Sequence, residues 1–406
     1  MKITQMTITK TLVRTTLMKA VAIVFAIGCG STVSVIADEP EVSGDKTVLI
    51  KAEVIHTGTG EILRPGCVLI RDGKIVEIGE SLSVEGVKVV EVKSLIPGLV
   101  DAASRIGAGR LDDERTDEIT PDLASVSIVD WKDIDFLQQL SGGTTCVHLT
   151  PGTSNVVAGL TSAVKTAGTI DRRIVAERTG LAISVCSDPA SGNNARSRPD
   201  SIYIRQPTNR MGVVWMLRNA FHATQNDKFA SPAMKDVTAG TLPVFAVSRT
   251  QHDIQALMTL ADEFSFHPTL IGGQECWKVT DEIAERKMSV ILQRVIPGSS
   301  RGDERTRISA DMAARLNKSG ATFCLSGGDL LDQMRFAVRF GLPAESALAS
   351  ITASPAAILK IDDRVGSIVV GKDADLVAMT GDPLEFSTAI QWVMVDGAIQ
   401  FEQAGN

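Results

Sequence analysis

The chain has 406 residues, 44% of them hydrophobic and 22% charged, which excludes a disordered polypeptide and leaves length for one large core plus a smaller module. Its formal charge of −7, from 41 Lys and Arg against 48 Asp and Glu, argues against a nucleic-acid partner. The six cysteines, Cys29, Cys67, Cys146, Cys186, Cys276 and Cys324, show no CxxC spacing and read as small buried apolar residues.

At the N-terminus Lys2, Lys10, Arg14 and Lys19 precede the apolar run from Ala20 to Gly28, too short to span a bilayer. This predicts an export signal over residues 1–37. Val35-Ile36-Ala37 suits signal peptidase cleavage, so the mature chain would start at Asp38. The alternative is Ala26-Ile27-Gly28-Cys29, a weak lipobox that would tether a periplasmic or surface protein to membrane through Cys29. Loss of four cations and no acid takes the formal charge to −11 and leaves five cysteines, which export permits, but does not require, to form a disulfide.

From Val48 to Val92 the pattern is strand-like, and Asp72-Gly73 between alternating runs signals a hairpin. The same grammar returns in GSIVVGKDADLVAMTGD and AIQWVMVDGAIQF, with Asp396-Gly397 as a second turn. Between these ends, Pro97 to Gly107 reads PGLVDAASRIG. Residues 98–104 form a buried parallel strand with Pro97 at its entrance, where a missing N–H is tolerated. The polar stretches 107–125 and 187–201 follow strands. Both are expected at a C-terminal mouth.

Farther on, strands and helices alternate: LPVFAVS with QHDIQALMTLADEF, HPTLIGG with CWKVTDEIAERK, SVILQRV with SADMAARLNKSG, and TFCLSGG with LLDQMRFAVRFG. Closed by ESALASITASPAAIL, the series reads as an α/β protein built on a (β/α)8 TIM-like barrel, with a modified open sheet as the alternative.

Pro97-Gly98-Leu99-Val100-Asp101, the HLTPGTSNVVAGL segment at His148 and Gly371-Lys372-Asp373-Ala374-Asp375-Leu376-Val377 resemble the amidohydrolase superfamily, in its imidazolonepropionase-like branch. The resemblance covers about residues 46–402. It implies a small β-sandwich built from residues 46–96 and 361–402, around a barrel of residues 97–360. It also implies hydrolysis of C–N bonds other than peptide bonds, in cyclic amides, ureides or small peptides, with zinc or another divalent metal as cofactor.

The family's ligand positions fall on Ala103, Arg105, Val247 and Gly272, and its last aspartate on Ser326 or Gly327, with Asp329 just beyond. Alanine, valine and glycine side chains carry no ligand atom, and an arginine repels a cation. No metal ligand is therefore assigned and no cofactor expected. Only five histidines exist: His56 lies in the terminal module, His222 and His252 in helices, His267 before a strand, and His148 alone at a strand end.

The candidate catalytic residues are Asp101, His148 and Asp329, acting by general base chemistry. Arg105 is the candidate ligand-binding residue, either clamping a carboxylate or pairing with Asp101 or Asp329. Some binuclear members of the family use a carboxylated lysine, but nothing places Lys165 on the corresponding strand, and it reads as an exposed lysine. The alternative to a hydrolase is an exported, non-catalytic binding or scaffold protein that keeps a small-molecule pocket, with homo-oligomerisation left open.

Overall fold

The computed structural model describes residues 47–109, 113–114, 116–191, 193, 206–227, 230–296 and 308–403. The expected export segment, Cys29 and parts of both polar stretches lie outside the described residues.

Alternating apolar residues at both ends of the chain are buried by one sheet. Its N-terminal strands are β1 (Thr47–His56), β2 (Ile62–Leu63), β3 (Gly66–Arg71), β4 (Lys74–Gly79) and β5 (Lys88–Pro97). Asp72 and Gly73, at φ 50° and 79°, make the expected turn between β3 and β4, since both central positions of a two-residue turn of this hand need positive φ.

The chain then builds a second sheet from β6 (Leu99–Ser104), β7 (Thr144–Leu149), β8 (Val157–Lys165), β9 (Ile174–Ser184), β10 (Val244–Ser248), β11 (Pro268–Gly272), β12 (Ser289–Gln293) and β13 (Phe323–Ser326). It returns to the first sheet as β14 (Leu376–Met379), β15 (Ile390–Val395) and β16 (Ala398–Glu402).

The terminal sheet runs β16-β15-β14-β5-β1-β3-β4, with β2 beside β1, so both ends of the chain share one ladder. It is one continuous sheet wrapped around its own core, to which Ile50, Val68, Leu95, Leu376 and Trp392 contribute. Its two hairpin turns touch: a Cβ on Gly73 would lie 2.8 Å from the Asp396 carbonyl oxygen.

The second sheet runs β6 to β13 in chain order and bends until β13 lies beside β6, a nearly closed barrel. Alternation sorts its side chains. Leu181, Val244, Leu270, Val290 and Leu325 face the helical layer, whereas Val100, Cys146, Phe245, Val247, Ile271, Ile291 and Cys324 fill the interior.

The strict eightfold βα repeat expected from sequence needs one correction. β8 is antiparallel to both β7 and β9, while the other five neighbouring pairs are parallel. The link from Thr150 to Val156 is too short for a helical crossover, so the chain turns straight back. The two sheets also share one apolar core: Ile96, Val377, Met379 and Val395 pack in the same cluster as Leu99 and Leu140.

A buried ion cluster ties the sheets together and corrects the reading of Lys165 as exposed. Lys165, at the end of β8, is 0% exposed. Its Nζ lies 2.8 Å from Asp373, 3.0 Å from Asp375 and 2.5 Å from Asp396. Lys74 and Arg364 also pair with Asp373, so three cations face three carboxylates. Burial alone would lower the Lys165 ammonium pKa, but Asp375, Asp396 and Asp373 hold it above its usual value. Burial would raise the Asp373 carboxyl, but Lys165 and the other cations bring it down to about 2.

Replacing Lys165 by methionine keeps the stem and strands the carboxylates, so denaturant unfolding should show a loss of about 3–5 kcal/mol. In the wild type, the depressed Asp373 contributes stability that is complete above pH ~4 and is lost as pH falls toward 2. An acid titration of the melting temperature checks the sign, and that acid-side loss should be blunted in Lys165→Met.

Candidate functional site

The C-terminal ends of the barrel strands form a mouth, the end where barrel enzymes place their chemistry. Both polar stretches reach it, as expected. Asp113 accepts from the Ser154 amide at 3.2 Å and from its hydroxyl at 2.9 Å, which fastens the segment after β6 to the β7–β8 link. Gly159 permits this crossing: at φ 128°, a Cβ there would sit 2.3 Å from the Leu123 carbonyl oxygen. In the second stretch, Asp188 accepts two bonds from Arg249, at 2.5 and 2.6 Å, and one from Thr153 at 2.6 Å. Burial would raise this carboxyl, but Arg249 holds it below the usual range.

Asp101 sits where the barrel fails to close by a backbone ladder. Its Oδ1 accepts from Ser326 Oγ at 2.5 Å, the Gly327 amide at 3.1 Å and the Ala103 amide at 3.3 Å. The side chain thereby bridges β6 to β13. Burial pushes the carboxyl above its usual range against these three bonds.

His148 is fully buried, and both ring nitrogens are engaged. Nδ1 lies 2.8 Å from the Ala102 carbonyl and donates to it, so Nε2 accepts from Thr179 Oγ1 at 2.8 Å. Thr161 lies behind Thr179 at 2.8 Å, and Phe245 packs on the ring with centroids 4.6 Å apart. Burial lowers the imidazole to about 4, so it is neutral and carries no spare lone pair.

Asp329 is exposed and caps the helix Leu330–Arg339 by accepting from the Asp332 amide at 3.0 Å. None of the three candidate catalytic residues bonds to another. Arg105 is exposed, just past the end of β6. The partners of Asp101 are Ser326, Gly327 and Ala103, and that of Asp329 is the Asp332 amide, so neither acid is paired with Arg105.

Ala103 and Val247 belong to the apolar interior, Gly272 is a strand end at φ 101°, and Ser326 is held by Asp101. The other histidines lie elsewhere. His56 is on β1, His222 on the helix Arg210–Asn226, His252 on the helix Gln251–Phe264, and His267 at the opposite, entry end of β11. Among the described residues, no three of His, Cys, Asp and Glu gather as a group able to hold a metal ion.

Sequence reasoning missed two mouth arginines, Arg249 and Arg294, although each immediately follows an apolar strand, as Arg105 does. It also missed Thr161 and Thr179, whose pairing with His148 joins strands that local pattern does not align.

The seam makes a sharp test. Asp101→Asn keeps an acceptor oxygen for all three donors and removes a buried charge, so its melting temperature should equal the wild type's in acid and exceed it as pH rises through the carboxyl's raised pKa. Asp101→Ala should melt lower at every pH, because each stranded donor costs about 1–3 kcal/mol.

A family model described as Amidohydrolase family matches residues 302–400. Amidohydrolase tasK of Hapsidospora irregularis is 26% identical over an alignment covering 88% of this chain and 44% of that protein, so the chain spans less than half the length of this curated relative. The crystal structure of an amidohydrolase from Thermotoga maritima MSB8 superposes with a TM-score of 0.79 at 26% identity, over 88% of this chain and 100% of that one. A Xaa-Pro dipeptidase with methionine bound in its active site shares the fold, with a TM-score of 0.53 at 15% identity over 87% of this chain and 100% of its own. The family model, the fungal relative and the Thermotoga structure together make the chain similar to proteins of the amidohydrolase superfamily.

Proposed function

We propose that this relative of a hydrolase family binds small molecules at its barrel mouth without the family's catalytic divalent metal, as a binding or scaffold protein. One observation carries the reading. The positions at which the resemblance puts the family's ligands hold Ala103, Arg105, Val247, Gly272 and Ser326 or Gly327, none of them with an anionic or imidazole donor and one cationic. Asp101 and His148 do not supply the missing donors, since the first is committed to the seam and the second has both nitrogens bonded. The donor set does not fit a zinc-type centre.

The homology favours a second reading, hydrolysis of C–N bonds in cyclic amides, ureides or small peptides. Without metal-bound hydroxide it rests on general base catalysis, worth about 10²–10⁴-fold, and His148, lowered to about 4, is a weak base for the task.

Metal analysis of the purified protein separates the readings. Substoichiometric zinc, manganese and iron are expected, with no chelator effect on melting temperature or on turnover of dihydropyrimidines, hydantoins and dipeptides. One zinc per chain, with hydrolysis abolished by chelator, would restore the metal-dependent hydrolase. Export is part of the same proposal. N-terminal sequencing of the cell-envelope form should find Asp38 or a lipidated Cys29, and an intact Met1 in cytosol would overturn it.

A further inference from the structure

At the entry end of the barrel, opposite the mouth, the connections leading into β11 and β12 line a cavity of about 430 Å³. Small-molecule pockets commonly measure roughly 300–1,000 Å³. Two helices end beside this one. The helix Gln251–Phe264 gives way to Ser265, Phe266 and His267 before β11, and the helix Thr280–Glu285 to Arg286, Lys287 and Met288 before β12. β11 and β12 pair in parallel from Thr269 and Ser289, so the two connections run in side by side.

The lining divides by chemistry. Ala261, Phe266, Pro268 and Met288 are buried and apolar, and they make the floor. The rim is exposed and polar. Arg286 on that rim is already paired with Asp262, and Glu282 and Glu285 add to the acid around it. Lys287 stands apart: among the described residues its ammonium makes no ion pair and no hydrogen bond, and neither the His267 ring nor the Ser265 hydroxyl has a hydrogen-bond partner. One uncommitted cation and two further donors thus border an apolar floor.

The backbone singles out two of the same residues. Ser265 and Lys287 have left-handed φ, 57° and 52°. Glycine is the favoured residue at such a helix end, because a Cβ is crowded there. The chain keeps a polar side chain at both ends instead, and both line the cavity.

We infer that this cavity is a binding site for a small amphipathic anion, a carboxylate carried on a compact apolar body such as an aryl group. The body lies on Phe266 and Met288, whose ring and sulfur both make favourable contacts with an aromatic face. The carboxylate meets the Lys287 ammonium in a charge-assisted bond, with Ser265 and His267 as added donors. A single free cation suits a single negative charge, and Asp262 on the rim disfavours a second. The site lies at the far end of the barrel from the mouth, so it stands whether or not the mouth holds a metal.

Isothermal titration of the purified protein with phenylacetate, at low ionic strength to limit screening, tests the site. Saturable binding is expected, with a Kd of about 1 mM or tighter for a ligand of this size. Phenylacetamide lacks the charge and acetate lacks the ring, and each should bind more weakly by about tenfold or more. Lys287→Gly removes the ammonium and gives the turn the residue it favours, so it should lose about tenfold or more in affinity while melting no lower than the wild type. Lys287→Arg keeps the charge and should keep the binding. Arg315→Gln, which removes a cation paired with Asp311 outside the cavity, should leave binding unchanged.

Absence of saturable phenylacetate binding overturns the site. So does binding that acetate or phenylacetamide matches, or that survives Lys287→Gly. The readout is heat of binding and not turnover, so it is separate from the metal analysis that decides the chemistry of the mouth.

Discussion

The fold depends on a lysine that water never reaches. Lys165 belongs to the barrel, and its carboxylate partners belong to the terminal sheet's C-terminal part: Asp373 and Asp375 just before β14, Asp396 in the turn between β15 and β16. Removing an ammonium and two carboxylates from water costs several kcal/mol for each ion, which is recovered only while the partners stay in register. The cluster therefore acts as a registration device between sheets that already share an apolar core. Its acids also explain the terminal signature: Asp373 and Asp375 flank Ala374, which is fully buried, so the motif places two charges about one apolar anchor.

Inside the barrel, polar groups hold structure in places where related folds offer chemistry. Asp101 substitutes for backbone pairing between the first and last strands. His148 joins β6, β7 and β9 through its ring, and Phe245 fills the space beside it, where a Cβ on Gly180 would lie 2.5 Å from the phenyl ring. A close-packed interior of this kind leaves the strand ends as the surface on which a ligand is met.

Features fixed by neighbours in sequence were legible before the structure. The turns at Asp72-Gly73 and Asp396-Gly397, the strand after Pro97 and the four late strand–helix units all follow from local pattern, as did the burial of the described cysteines. The direction of β8 was not legible, because it depends on a short link whose alternative was a crossover. Nor was the burial of Lys165, whose partner Asp375 is 210 residues away. At the site, the burial of Ala103 and Val247 in the barrel interior was legible from their apolar strands. The commitment of His148 to Thr179 was not, because a bulged pairing between β8 and β9 sets it.

The reversed strand has a consequence for the order in which the molecule is made. β7, β8 and β9 form a meander with short connections, the kind of contact a chain closes early, often while later residues are still being synthesised. Lys165 stands at the lower end of that meander, yet Asp396 is 231 residues farther along. Until the last strands emerge, the ammonium must remain hydrated and the lower edge of the barrel unsealed. Burial of that charge is therefore deferred to the end of translation, and a chain arrested before β14 holds a solvated cation at the place where the finished protein has its driest charge.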